Sequence, residues 1–148
     1  MILSKKSRYG LRALIDLSVS SKTEHMALNS IAQRNGISTQ YLEQVFAALR
    51  RADIVKSIKG PQGGYLLKRP ASEITVADIV LALDGSYYVD DEVETAECEL
   101  HGITATIQSH VVDRVNVKLD EVFTGITLKD LEEDYLKNSM YEEGMYYI

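Results

Sequence analysis

The feature that most constrains the fold is a pair of short helical patterns joined by a glycine turn. The first pattern runs from Leu28 to Arg34 and ends at Asn35-Gly36, because glycine accepts the left-handed conformation that closes a helix. The second runs from Ser38, a favourable N-cap, to Arg51. Its apolar residues recur at the spacing of one helix face: Leu42, Val45, Phe46 and Leu49. This order predicts a helix-turn-helix unit, although small helical bundles contain the same pattern.

A basic hairpin is predicted directly after these two helices. The runs 54–58 and 65–68 are rich in residues that favour strands, and the loop 59–64 between them contains three glycines and a proline. Four cations surround that loop: Lys56, Lys59, Lys68 and Arg69. A helix-turn-helix followed by a hairpin is a winged helix, and the loop glycines permit its backbone to approach a phosphate closely. The pattern therefore predicts a DNA-binding domain.

Charge is divided unevenly along the 148 residues, whose net charge is −6. Residues 1–70 contain twelve lysines and arginines against four acids, a net charge of +8. Residues 71–148 hold the remaining four basic and eighteen acidic residues, a net charge of −14. Such asymmetry favours one half that binds a polyanion and another that repels it. A chance partition of solvated charges is the alternative.

A long helix is predicted from about residue 100 to 123, after an acidic loop over 86–99 that we expect to be solvated. The apolar residues of this helix recur every four positions: Ile103, Ile107, Val111, Val115, Leu119 and Phe123. This face is longer than the small domain can cover, and symmetry makes a two-fold homodimer the default arrangement. Thr127 is predicted to cap a last helix over 128–137, which an acidic tail follows.

Together these elements predict a mainly α fold with a small β-hairpin. We expect a winged helix-turn-helix domain (1–85), the acidic loop (86–99), and a dimerisation helix with a C-terminal helix and tail (100–148). Apolar runs fall short of the ~20 residues that span a bilayer, so a membrane partner is not expected. Charged residues follow the N-terminal Met1-Ile2-Leu3 too early for a signal-peptide core, and we expect a cytoplasmic, nucleoid-associated protein.

Seven segments distributed along the chain match a known pattern: 7–11, 30–32, 41–44, 49–52, 59–65, 74–79 and 127–131. Through them the sequence resembles, over almost its whole length, the Rrf2 family of bacterial transcription regulators. It implies a homodimer of winged-helix domains that is held together by the long helix and binds a partly palindromic operator on double-stranded DNA. Repression by covering the promoter is implied, although activation fits the sequence equally. Asp53 stands where the family usually has glycine, and aspartate also tolerates the left-handed region.

The predicted DNA contacts fall into three groups. Phosphate contacts are expected from Lys5, Lys6, Arg8, Lys59, Lys68 and Arg69. Base edges in the major groove are expected to be read by Ser38, Thr39, Gln40 and Glu43, with Arg50 on the same face. The tip of the hairpin, expected to enter the minor groove, comprises Gly60, Pro61 and Gln62.

Several family members hold an iron–sulfur cluster through three cysteines and a following histidine. Cys98 and His101 resemble the last cysteine and that histidine, but Cys98 is the only cysteine of the chain. One thiolate does not hold such a cluster, so we expect no cofactor and no metal site. Cys98 then either has no role or is a redox switch, and the neighbouring Glu97 and Glu99 disfavour the reactive thiolate.

The family's cluster-free branch, which represses genes of cysteine and sulfur metabolism, ends in an aromatic-rich tail closing with isoleucine. The end of this chain, Tyr146-Tyr147-Ile148, is similar. The resemblance implies control of cysteine and sulfur metabolism or of a redox response. It also implies a complex with cysteine synthase in which Tyr147 and Ile148 anchor the tail. The alternative is a tail packed on its own dimer.

An enzyme is not expected from this sequence. The three histidines, His25, His101 and His110, are scattered, and the loop 59–64 lacks the spacing of a phosphate-binding loop. The remaining alternative is a winged-helix module that binds other proteins and is regulated through its C-terminal tail.

Overall fold

The computed structural model describes the backbone of residues 2–146 and the side chains of residues 2–140. The fold is mainly α with one antiparallel hairpin, which confirms the predicted class. In chain order the elements are α1 (Lys5–Ser20), α2 (Leu28–Asn35), α3 (Thr39–Arg51), β1 (Val55–Ile58), β2 (Gly64–Leu67), a 3-10 turn (Ala71–Glu73), α4 (Val76–Asp84), α5 (Ile103–Ile107), a π-helical turn (Gln108–Val112), α6 (Asp113–Gly125) and α7 (Leu128–Tyr146). None of the described helices is long and apolar enough to cross a bilayer.

Helices α1 to α4 and the hairpin enclose one hydrophobic core. The apolar face predicted for α3 is fully buried there, as are Leu14 and Leu17 of α1. Gly10 lets α1 lie close to α4, since a Cβ at that position would be 2.3 Å from Leu83 Cδ1. Leu128, the first residue of α7, belongs to the same core. Burial of this apolar face is what holds the helix-turn-helix together.

The helix ends are formed by the residues that the sequence indicated. Ser38 accepts a hydrogen bond from the Tyr41 N–H at 3.2 Å, and Gly36 adopts φ +64° after α2. Thr75 forms a reciprocal capping box at the start of α4. Asp53 adopts φ +60°, so the turn before β1 keeps its conformation without glycine.

The two strands pair antiparallel, with Val55 opposite Leu67 and Ile58 opposite Gly64. That the loop glycines permit close approach to another molecule stays a prediction, but Gly63 and Gly64 also have a reason within the chain. A Cβ at Gly63 would lie 2.2 Å from Ile58 O, and one at Gly64 would lie 2.2 Å from Met26 O. These two glycines are required because the chain's own backbone passes beside them. Hereafter the wing means residues 55–67.

The long helix begins at Ile103, three residues later than predicted, and continues through the π-helical turn to Gly125. Two residues of its predicted interface, Leu119 and Phe123, are half-buried against a small cluster that contains Val76, Val80 and Tyr87 of the same chain. Helix α4 and the segment after it thus cover part of the last portion of this face. The assignment of Leu119 and Phe123 to a dimer interface stays a prediction, because both side chains remain partly exposed.

Two further expectations are corrected by packing. The loop over 86–99 is not wholly solvated, because Tyr87 is buried and its hydroxyl donates to Asp120 on α6. The Asn116 side chain also pairs with the backbone of Val89. Its Oδ1 accepts from the Val89 N–H at 2.7 Å, and its Nδ2 donates to Val89 O at 3.1 Å. Helix α7 extends to Tyr146 rather than to residue 137, so most of the predicted acidic tail is helical.

Candidate DNA-binding surface

One face of α3 carries polar and charged side chains into solvent. Residues 40, 43, 44, 50 and 51 are all exposed and lie within about 120° of arc around the helix axis. Ala47, at the centre of that arc, is only half-buried and small. The opposite side of the same helix is packed in the core, so the orientation of this face is set by burial.

The four predicted base-reading residues are not equally available. The Ser38 hydroxyl is used as the N-cap of α3, and Thr39 Oγ1 donates to Asn29 Oδ1 on α2 at 3.0 Å. Gln40 and Glu43 are exposed, and within the described residues neither side chain has a hydrogen-bond partner in the chain. Of this set, Gln40 and Glu43 are thus the side chains that are exposed and free of hydrogen bonds to the described residues.

Sequence reasoning missed Gln44 and Arg51 on the same face. Both are exposed and lie on the same 120° arc of the helix, next to Gln40. The helical spacing carried the signal, because positions 40, 44 and 51 recur at i, i+4 and i+11. Arg50, which was predicted, is exposed at the end of the helix, where Arg50 and Arg51 form the basic last turn.

The start of α1 lies beside the start of α3. The Tyr9 and Tyr41 rings meet edge to face with centroids 5.7 Å apart. Lys5 Nζ lies 5.3 Å from the Tyr9 ring centroid and Arg12 Cζ lies 5.6 Å from it, so two cations flank this aromatic pair. Of the predicted phosphate contacts in this region, Lys5 is thereby placed beside the Tyr9–Tyr41 pair at the start of α3. Arg8 is exposed and its Nε donates to Leu3 O at 2.9 Å.

The wing stands on the other side of α3. Tyr65 of β2 packs against Phe46 of α3 with ring centroids 4.8 Å apart. The predicted tip residues are all exposed: Lys59, Gly60, Pro61 and Gln62. Gly60 has φ +111° with open space around its Cα, a conformation that favours glycine.

Several cations of the N-terminal half are neutralised within the chain. Lys68 Nζ lies 2.6 Å from Asp53 Oδ1, and this hydrogen bond lowers the pKa of Asp53. Arg69 Nη2 lies 3.6 Å from Asp78 Oδ2. Arg34 is paired with Asp16, and Lys22 with the buried carboxylate of Glu132. Lys68 and Arg69, both predicted phosphate contacts, therefore lie at the base of the wing with acidic partners.

The other cations of residues 1–70 have no ion pair within the described part of the chain. They are Lys5, Lys6, Arg8, Arg12, Arg50, Arg51, Lys56 and Lys59. They lie on the first three turns of α1, at the end of α3 and on the wing. The positive charge without an acidic partner among the described residues is thus carried by the start of α1, the end of α3 and the wing.

The apolar residues at the beginning of the long helix are a second exposed feature. Ile103, Ile107, Val111 and Val115 are between 41% and 54% exposed. We call these four residues the apolar face. It precedes the half-buried Leu119 and Phe123 along the same helix.

Cys98 lies in the loop before α5, half-buried, with Sγ 3.4 Å from Leu100 O. Nearby, Glu94 Oε1 accepts the Gly102 N–H at 3.2 Å and lies 3.8 Å from His101 Nδ1. Among the side chains of residues 2–140, no three His, Cys, Asp or Glu come together as metal ligands. A donor set with one thiol does not fit an iron–sulfur cluster held by three cysteines. The expectations for Cys98 stay predictions, and Tyr147 and Ile148 lie outside the described residues.

A helix-turn-helix with a basic wing and an exposed polar face on its second helix defines a winged-helix DNA-binding protein. Residues 3–134 match the model of the Rrf2 family, described as an iron-dependent transcriptional regulator, and the chain belongs to that family. It is thus a transcriptional regulator rather than an enzyme, as the sequence indicated.

The similar proteins include regulators named IscR and regulators named CymR. The chain is 35% identical to the HTH-type transcriptional regulator IscR of Vibrio atlanticus over 134 residues, 89% of this chain and 78% of that one. The structure of CymR, the global cysteine regulator of B. subtilis, matches with a TM-score of 0.71 and 36% identity, covering 90% of this chain and 97% of that one. The oxidised form of Staphylococcus aureus CymR matches with a TM-score of 0.70 and 35% identity, at the same two coverages.

Proposed function

We propose that two copies of this chain pair through the apolar face and bind one partly palindromic operator as a repressor. The observation that carries the proposal is the separation of two uncovered surfaces on one molecule. The polar face of α3, flanked by unpaired cations, suits a polyanion whose base edges offer hydrogen bonds. The apolar face suits a second apolar surface, and a two-fold pair gives each copy the same contact.

Sequence preference is assigned to Gln40 and Glu43. Glutamine pairs with adenine through both its amide atoms, and glutamate accepts a hydrogen bond from cytosine N4. A carboxylate near phosphates weakens binding unless it contacts a base, which supports a reading role for Glu43. Phosphate contacts are assigned to the cations without an ion pair among residues 2–140, rather than to Lys68 and Arg69.

Repression follows from occupancy. A dimer that covers two half-sites one helical turn apart blocks access of polymerase to the same DNA. We assign the regulated genes to cysteine and sulfur metabolism or to a redox response. This assignment rests on the similarity to CymR of B. subtilis, which is described as a global cysteine regulator.

The test begins with duplexes that the protein selects from a random pool, compared with the DNA upstream of its own gene. If about five phosphates are contacted per copy, the logarithm of the affinity falls against the logarithm of the salt concentration with a slope of about −9. Selection of no common sequence, with no salt-dependent binding, would contradict the proposal. That result would favour a winged-helix module that binds other proteins.

A further inference from the structure

The turn that precedes α2 fastens the wing to the body of the domain. The His25 Nε2 atom is in hydrogen-bond contact with the backbone carbonyl of Gln62 at the tip of the wing. Next to it, Met26 and Tyr65 exchange two backbone hydrogen bonds of 3.0 and 2.8 Å. Gly64 allows that close pairing because it has no Cβ. The wing is therefore attached to this turn at two places: by the Met26–Tyr65 backbone bridge and by the single side chain of His25.

The direction of the hydrogen bond at the tip is fixed by its acceptor. The carbonyl of Gln62 can only accept, so the imidazole Nε2 carries the hydrogen and donates it. Within the described residues, this is the only hydrogen bond that joins the loop 59–62 to a residue outside the wing. The loop itself closes through the Gly63 N–H and Gly60 O, 2.9 Å apart.

We propose that His25 is the positioning residue of the wing, holding the tip so that the Lys59 ammonium meets a DNA phosphate. The proposal rests on the DNA-binding function proposed above. Without the His25 contact, the glycine-containing loop must be ordered when DNA binds, and that ordering lowers affinity. His25 acts through the wing and makes no contact with DNA itself.

The experiment measures affinity for the selected duplex in a double-mutant cycle. His25→Phe removes the donor and keeps a ring, while His25→Gln keeps an N–H donor at a similar reach. We expect His25→Phe to weaken binding by about threefold to tenfold, the range for losing one hydrogen bond, and His25→Gln to restore most of that loss.

Lys59→Ala supplies the second arm of the cycle. In the wild-type background it is expected to lower the magnitude of the salt slope by about 2, one phosphate contact from each of two copies. In the His25→Phe background the same substitution is expected to have less than half that effect. The two residues are then coupled, as a positioning role requires.

Hydrogen exchange in the free protein gives a readout without DNA. His25→Phe is expected to speed exchange of the Gly63 amide and leave exchange in the α1 and α3 cores unchanged. Unchanged exchange of the wing, or additive effects of His25→Phe and Lys59→Ala, would overturn the proposal. If the wild-type protein shows no salt-dependent DNA binding, the proposed function itself has failed, whereas normal wild-type binding with an indifferent His25 removes this inference alone.

Discussion

Helices α3 and α6 were both recognised from one periodic pattern, yet the chain covers them differently. The apolar face of α3 is fully buried, and its uncovered side is polar. On the apolar side of the long helix, Leu119 and Phe123 are covered by the cluster at α4, whereas Val111 and Val115 remain exposed. Periodicity therefore predicts that a face exists, whereas the chemistry of the uncovered side suggests its occupant: a polyanion for α3 and, in the function proposed above, a second copy for the long helix.

The largest effect is expected from placing a charge on the apolar face. Val115→Glu buries a carboxylate in each half of the proposed interface, and a buried unpaired charge costs about 3–5 kcal/mol. The dissociation constant of the dimer is expected to rise by about 100-fold or more, and the affinity for the operator to fall with it. Sedimentation analysis measures both the mass and the dissociation constant.

Val117→Glu is the matched control for that substitution. Val117 is also exposed, but it is two residues along the helix and so about 200° away from Val115. It should leave the dimer intact. If Val115→Glu sediments like the wild-type protein, the apolar face of the long helix is not the surface through which two copies pair.

The polar face of α3 is tested next through Glu43. Glu43→Ala is expected to remove about 1–3 kcal/mol of discrimination at one base of each half-site, because the cytosine contact is lost. Affinities for a panel of single-base operator variants measure this directly. Glu73→Ala removes the same charge from the 3-10 turn and should leave the preference unchanged. A uniform loss of affinity across the panel would contradict a reading role for Glu43.

A smaller change is expected from Arg51, which has no ion pair among the described residues. Arg51→Ala should lower the magnitude of the salt slope by about 2 for the dimer and leave base preference intact. The control is Lys118→Ala on α6, whose ammonium is 3.1 Å from the Glu121 carboxylate. Equal slopes for the two variants would show that unpaired charge on α3 does not mark the DNA surface.

The smallest expected effect concerns the buried end of α7. Burial raises the pKa of Glu132, but hydrogen bonds from Lys22 and Ser18 outweigh it and hold that pKa below its ordinary value. A lowered pKa adds stability above the ordinary value of 4.5 and loses it as pH falls through the folded pKa.

Glu132→Gln is therefore expected to lower the free energy of unfolding by about 1 kcal/mol at neutral pH, the value of a typical hydrogen bond. Because Lys22 is half exposed, a larger loss is not expected. Urea unfolding should show the gap between variant and wild type shrinking below pH 4.5. If the difference in the free energy of unfolding between variant and wild type stays constant with pH, the charged carboxylate of Glu132 does not stabilise the fold.

Local rules recovered much of the fold from the sequence. The caps at Ser38 and Thr75 and the stop at Gly36 are short-range effects, so neighbouring residues suffice to predict them. The buried face of α3 followed from its spacing. What was missed depends on distant contacts: Tyr87 is buried against α4 and receives Asp120 and Phe123 from α6.

The candidate DNA-binding surface likewise has features that the sequence predicts and features that only tertiary contacts determine. Residue type and charge pointed to the cations of the wing, and Lys59 is indeed exposed and without an ion pair among residues 2–140. The sequence alone did not indicate that Lys68 is paired with Asp53 or that Thr39 is held by Asn29, since both partners are ten or more residues away. Such pairings are tertiary, and they decide which predicted side chains stay available.

The number of chains on one operator tests the central claim most directly. Native mass spectrometry of the wild-type protein with its selected duplex reports this number, using a DNA long enough for two half-sites about ten base pairs apart. The account predicts two chains per duplex, with no single-chain complex at saturation and no assembly of Val115→Glu. One chain per duplex at saturation, with full affinity, would contradict it.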